Sequence, residues 1–304
     1  MLAQVRRRAV GVLIGCLILA GCAEARPAGP GLTATPVMID LATRSGRWTA
    51  DAERLQRAVD ALDRACLRGA GLSPPAAPRV RLPVPEDEAA VIGMAERRRV
   101  GYGIVDAVTA GTRSPEAEPE HSTTALSQEE QRRYTEAQFG LGTPKTSVPL
   151  LGEAKAYVPA AGCIAQSRRK LAGDVDAWAR LDYLPQQFDD RVTNGAEREP
   201  VYTSALAAWR SCMERSGRHH ADPDAARASV RDAARRPGDA ADLKRKEVEL
   251  AVADGLCAAR SHLPTALLQA RRARVAHLPQ HDLAVLRALS EEWLTTVARA
   301  RSTR

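Results

Sequence analysis

Apolar residues recur along most of this chain at helical spacing, but its first apolar run is of a different kind. Residues 9–20 (AVGVLIGCLILA) are almost continuously apolar and follow Arg6, Arg7 and Arg8. Twelve residues are too few to span a bilayer as a mature helix, and a basic flank before a short apolar stretch is the pattern of an export signal. Between Thr49 and Arg68 the pattern changes. Leu55, Val59, Leu62 and Cys66 fall at i, i+4, i+7 and i+11, a single stripe that predicts an amphipathic helix facing a core. Gly69 ends it, and five prolines between Pro74 and Pro85 exclude helix beyond. Further helices are predicted over 87–98, over 160–172, 174–189 and 199–216, and from Asp222 or Asp224 to near Pro237. Ser127 and Glu130 form a capping box ahead of one more, which runs to Phe139. From Ala240 to Arg301 the period is helical almost throughout, with Pro264 and Pro279 expected to kink or interrupt it. Residues 109–125 are low-complexity and read as mobile. GLGTPKTSVPLLG at 140–152 breaks the pattern again, and no stretch alternates in the manner of a strand. The expected class is all-α: a disulfide-stapled helical domain of two similar half-modules with a long, kinked C-terminal helical segment.

The apolar run ends at Leu19-Ala20-Gly21-Cys22, after which the chain continues in Ala, Pro and Gly. This tetrapeptide has the form of a bacterial lipobox. There a cysteine thiol takes a diacylglycerol through a thioether, and small residues before it admit the peptidase. Cys22 is therefore the expected lipidation site. Acyl chains hold a protein to a bilayer with roughly 0.8 kcal/mol per buried methylene. The layout that follows is a signal peptide over 1–21, a lipidated cysteine with flexible tether over 22–48, and a helical domain over 49–304. Its half-modules are drawn at about 49–172 and 174–304. The expected location is the outer face of the bacterial cytoplasmic membrane.

Charge and cysteine content sharpen this picture. Removing residues 1–21 takes away three arginines and no acid, leaving 41 basic and 37 acidic residues, a net +4. That excess is far from the basic stripe of a nucleic-acid protein, and no nucleic-acid partner is expected. Only four Trp, five Tyr and two Phe are present, so Ala, Leu and Val must fill the core. Once Cys16 and Cys22 are set aside, Cys66, Cys163, Cys212 and Cys257 remain. An even number in an oxidising compartment predicts two disulfides, with three connectivities open by spacing alone. An internal echo favours one of them. RACLRGAGL at 64–72 and RSCMERSGRH at 210–219 each close a helix with a cysteine shortly before glycine, and AAGCIAQSRRKL at 160–171 and VADGLCAARSHL at 252–263 each place one on a later helix. The echo pairs Cys66 with Cys163 and Cys212 with Cys257, one bridge per half-module.

Gly101-Tyr102-Gly103, Gly162-Cys163, Trp209 with Cys212-Met213 and Gly217, and Ala251-Val252-Ala253-Asp254 with Cys257 together resemble a family of actinobacterial secreted lipoproteins. The resemblance spans about residues 55–300. It implies a compartment, a helical style of fold and a long terminal helix over 258–302, and it brings no catalytic residues. The chain departs from the pattern at Leu67, where Met is more usual, and in the prolines at 264 and 279.

Chemistry is hard to find in the sequence. Ser167-Arg168-Arg169-Lys170 matches S-x-x-K, but no S-x-N or K-T-G element follows it, and Lys145-Thr146-Ser147 precedes it. His219, His220 and Asp222 lie close together without a further ligand. His277, His281 and Asp282 straddle Pro279, which breaks the geometry that would join them. No metal or cofactor is expected, no catalytic residue can be named, and the sequence leans away from enzymatic activity without excluding it. The last 48 residues carry eight Arg against three acids. Arg271, Arg272 and Arg274 cluster there as candidates for contact with an anionic surface, and Arg299, Arg301 and Arg304 close the tail. The expected partners are the membrane, through the N-terminal lipid, and an envelope protein or anionic wall polymer. The reading is a non-enzymatic binding or accessory module, with an envelope hydrolase or a transporter accessory as the alternatives.

Overall fold

The computed structural model describes residues 32–74, 81–112 and 127–302. The signal peptide, Cys22, Arg304 and most of the 109–125 stretch lie outside them. The class is all-α with one short hairpin. In chain order the elements are α1 (Pro36–Thr43), α2 (Trp48–Gly69), α3 (Glu88–Ile92), α4 (Met94–Val100), α5 (Ile104–Thr112) and α6 (Gln128–Phe139). Then come β1 (Lys145–Pro149), β2 (Lys155–Pro159), α7 (Gly162–Ala172), α8 (Val175–Ala196), α9 (Pro200–Arg215), α10 (Pro223–Ala234), α11 (Ala240–Ser261), α12 (Leu263–Val275) and α13 (Gln280–Ser302).

Local chemistry accounts for most of these boundaries. Leu55 and Val59 of the α2 stripe are buried as the spacing demands. Ser127 and Glu130 form the reciprocal capping box on α6. Asp174, Asp222 and Asp239 cap α8, α10 and α11 by accepting from Ala177, Ala225 and Ala241 N–H groups. Pro264 does not kink a helix. The chain turns at His262, which is left-handed at φ 51°, and Pro264 falls in the first turn of α12, where its missing N–H costs nothing.

Three expectations are corrected. The tether drawn over 22–48 ends earlier, because α1 is a capped helix whose Met38, Leu41 and Ala42 are buried in the core. The 140–152 break contains β1, which pairs antiparallel with β2 with Val148 opposite Ala156; prolines at both strand ends had masked the alternation. α8 runs through Pro185 to Ala196 instead of stopping near residue 189, held by the burial of Phe188, Val192 and Ala196.

Cys66 joins Cys163 with their Cα atoms 5.5 Å apart, tying α2 to α7. Cys212 joins Cys257 at 5.6 Å, tying α9 to α11. Each bridge lies within one half of the sequence, but the cores do not follow that division. The larger core gathers Met38, Leu41, Val59, Phe188, Leu286 and Trp293 from α1, α2, α8 and α13, so the last helix returns to the first part of the chain. The smaller core gathers Ile92, Trp209, Met213, Ala258 and Leu263 around the second disulfide.

Candidate functional site

Two carboxylates on one face of α11 organise the smaller core. Glu247 and Asp254 are seven residues apart, two helical turns, and only 0% and 1% exposed. A buried charge is tolerated only when its hydrogen-bonding capacity is met, and both are met in full. Glu247 caps α5 from a distant helix. Its Oε1 accepts from Ile104 N–H at 2.6 Å and its Oε2 from Val105 N–H at 3.4 Å, with Lys244 Nζ also 3.4 Å away. Lys244 in turn donates to the Val100 carbonyl at 2.8 Å and to Asp106 at 2.5 Å. Gly101 makes this approach feasible. It sits at φ 64°, and a Cβ there would lie 2.8 Å from Cγ of Glu247.

Asp254 accepts three donors from three elements. Trp209 Nε1 reaches its Oδ1 at 3.0 Å; Arg97 Nη1 and the Tyr102 hydroxyl reach its Oδ2 at 2.7 and 3.1 Å. Arg97 also donates to the carbonyls of Ile92 and Ala251. Burial, and then the neighbouring Asp254 charge, push the Tyr102 phenol well above its ordinary pKa. Its ring lies beneath the guanidinium groups of Arg97 and Arg227, 5.6 and 6.0 Å from the centroid. The small residue at 255 is required as well, since a Cβ there would meet Met94 Sδ at 2.5 Å where α4 crosses α11. The segments Gly101-Tyr102-Gly103, Trp209 with Cys212-Met213, and Ala251–Asp254 with Cys257, far apart in sequence, thus meet at one place. Glu247 and Arg97, the partners that complete it, carried no sequence motif. Their only signal was the seven-residue spacing of the two acids.

Outward from Asp254 a cleft of about 490 Å³ opens between α3 and α4 on one side and α9, α10 and α12 on the other. Tyr202, Leu206, Leu263 and Leu268 give it an apolar floor, and Arg97, Arg210 and Arg227 stand along its walls. Glu197, Asp222 and Asp224 form an acidic edge beside Tyr202; burial first, and then these charges, raise its phenol pKa. Arg227 pairs with Asp224 at 2.9 Å, and Arg210 donates to the Ala221 carbonyl.

The sequence candidates fall elsewhere. Ser167 is buried and donates to the Cys163 carbonyl at 2.9 Å, while Lys170 is exposed, so the S-x-x-K match is part of an ordinary helix. Asp222 is spent as the α10 cap, with His219 exposed beside it. His277 and His281 are exposed, whereas Asp282 is buried against Arg191. Among the described residues no group of three or more ligand side chains is placed to hold a metal ion. Arg299 donates to the Leu171 carbonyl, and Arg301 is exposed.

The arginine cluster has partners that the sequence did not show. Arg271, Arg272 and Arg274 each meet an acid of a neighbouring segment and stitch α12 to its neighbours. Arg271, 14% exposed, pairs with Asp189 and donates to the Thr43 carbonyl at 2.7 Å. Burial and the nearby Arg44 lower its pKa. Arg272 donates to Asp40 at 3.0 Å and to Ser45 at 2.5 Å. Arg274 pairs with Glu199 at 3.6 Å and covers Gly195. Sequence counting saw the positive charges but not the acids on α1, α8 and the α8–α9 turn that meet them. No protein-family model, curated protein or solved structure matches the chain.

Proposed function

We propose that the chain is a lipid-anchored, extracytoplasmic helical binding module of the bacterial cell envelope. The lipobox-like Leu19–Cys22 supports the anchor, the two disulfides support an oxidising compartment, and the resemblance to secreted actinobacterial lipoproteins points the same way. The observation that carries the binding reading is the use to which Glu247 and Asp254 are put. Both acids accept structural donors on both carboxylate oxygens. They hold α4, α5, α9 and α11 in register instead of offering a proton acceptor to a substrate. What they hold open is a cleft with an apolar floor and walls of both charges, a surface suited to a polar-rimmed partner.

The test is made in cells. A photo-crosslinking residue replacing Arg210 in the cleft should trap a discrete envelope partner, and Cys22→Ser should release the protein or leave an uncleaved precursor and abolish that adduct. Fatty acid incorporated equally into Cys22→Ser and parent would overturn the anchor. A cleft probe that traps nothing while a probe on the opposite face traps a partner would overturn the cleft.

A further inference from the structure

The chain has only four tryptophans, and three of them, Trp48, Trp178 and Trp293, line one pocket in the larger core, remote from the Asp254 centre. The pocket holds about 240 Å³. That is below the roughly 300–1,000 Å³ of sites for drug-sized ligands and suits a single saturated ring. In a protein this poor in aromatic residues, such a grouping at an accessible concavity is not explained by core filling alone. Trp48 and Trp293 stack at 6.5 Å between centroids and 18° between planes, while Trp48 and Trp178 remain partly exposed.

The polar groups of the pocket narrow the ligand. Arg44 lies over the Trp48 ring, 4.7 Å from its centroid, so that aromatic face already has a cation and a cationic ligand would be repelled. Asp182 stands opposite on α8 and makes no hydrogen bond or ion pair with the described residues. The concave setting desolvates its carboxyl and raises its pKa, with Arg168 opposing in part. Pro185 lies one turn further along the same wall. Having no N–H, it leaves the Leu181 carbonyl without its helical donor. The indole Nε1 of Trp48 is buried and has no hydrogen-bond partner. Aromatic faces beside a solvent-accessible carboxylate that no protein donor engages match a ligand with an apolar ring face and a rim of hydroxyls.

We propose that this pocket binds a neutral sugar ring, with its C–H face against the tryptophans and its hydroxyls donated to Asp182. The site stands apart from the Asp254 cleft, so its test does not depend on the partner proposed there. The ring can arrive as a free sugar or as the end of an envelope glycan; the chemistry is the same.

The experiment is a fluorescence titration of the purified protein, since three of its four tryptophans line the pocket. The probes are glucose, N-acetylglucosamine, their β-1,4-linked trimers, and tetramethylammonium as the cationic control. At least one sugar should give a saturable change with affinity near the millimolar scale expected for a small polar ligand with one buried face. Trp178→Ala should weaken it at least tenfold. Asp182→Asn, at an accessible position without a protein partner, should do so while leaving the melting curve cooperative. Tight binding of the monosaccharide would assign a free sugar, and binding of the trimer alone a glycan end. No saturable change with any sugar, saturation with tetramethylammonium alone, or equal sugar affinity in Asp182→Asn and parent would each overturn the proposal.

Discussion

Trp209 donates its indole N–H to Asp254 at 3.0 Å in a place where the tryptophan is fully buried and the carboxylate 1% exposed. Each makes the other's burial tolerable, and Arg97 and Tyr102 complete the arrangement. Asp254→Ala strands the guanidinium and the indole donor together. Removing one partner of a buried ionic pair costs about 3–5 kcal/mol, so urea unfolding should lose stability on that scale. Trp209→Phe, which removes one donor and keeps most of the volume, should lose about 1–3 kcal/mol. A loss below about 1 kcal/mol for Asp254→Ala would refute this role.

Gly101 and Gly103 provide an internal comparison. Both have positive φ, but a Cβ at Gly101 would strike Glu247, whereas one at Gly103 would meet nothing within 4 Å. Gly103→Ala should show only the backbone cost, about 1 kcal/mol, while Gly101→Ala adds the displacement of Glu247 from the α5 N-terminus and should cost clearly more. Thermal melts of the two variants separate the effects, and equal melting points would show that the close approach contributes nothing.

Replacing Arg271 with Gln should act on stability and not on surfaces. Asp189 loses its pair in a site where both side chains are mostly covered, so the expected loss is about 2–4 kcal/mol. Arg274→Gln, with a longer and more exposed contact, should lose less than about 1 kcal/mol. In a Cys22→Ser background neither change should alter cosedimentation with anionic vesicles.

Residues with local signals were legible in the sequence, and those defined by distant partners were not. The α2 stripe and the Ser127–Glu130 capping box lie within a few turns of chain, the cysteine echo is a repeat of short local motifs, and the structure has all three where the sequence put them. Helix α1 escaped because its eight residues, PVMIDLAT, are too few to show a period, although Met38 and Leu41 are among the most buried side chains. The hairpin escaped because each strand is only five residues long and ends in proline. The partners of the charge cluster at 271–274 were not legible for a different reason: its acids lie on distant segments, at positions 40, 189 and 199. The aromatic pocket joins residues 48, 178 and 293, a grouping without any signature along the chain.

Asp182 gives a pH signature. Its side chain is exposed, but the concave wall of the pocket partly desolvates the carboxyl and raises its folded-state pKa above the unfolded value near 4, with Arg168 opposing. The folded state therefore holds the proton more tightly, and the ionised group opposes folding at every pH above its folded pKa. The penalty fades as pH falls and is gone once both states are protonated. Asp182→Asn should thus melt above the parent at pH 7 and level with it near pH 3. A difference in melting point that is constant across this range would mean that the carboxyl is not desolvated.

The two disulfides close segments of 97 and 45 residues, for which the chain-entropy model gives about 4–5 kcal/mol each. Reduction under native conditions should lower the urea midpoint steeply. Cys212→Ser with Cys257→Ser should loosen the Asp254 cleft, read as faster amide exchange in α9 and α11, before it affects α2 or α13. Uniform loosening of both cores would show that the bridges do not act locally.

The N-terminal end of the body has a mechanical consequence. Leu32 N–H donates to the Gln280 side chain at 2.7 Å, and the next helix, α1, is packed against α8, α12 and α13. Tension applied to the chain ahead of Leu32 would not peel away a loose end. It would first meet the hydrogen bond that ties Leu32 to the start of α13, and then a short helix that can leave only by sliding its methionine and leucine out of the larger core. Load is therefore passed at the point of entry to three helices, α8, α12 and α13, which resist it together.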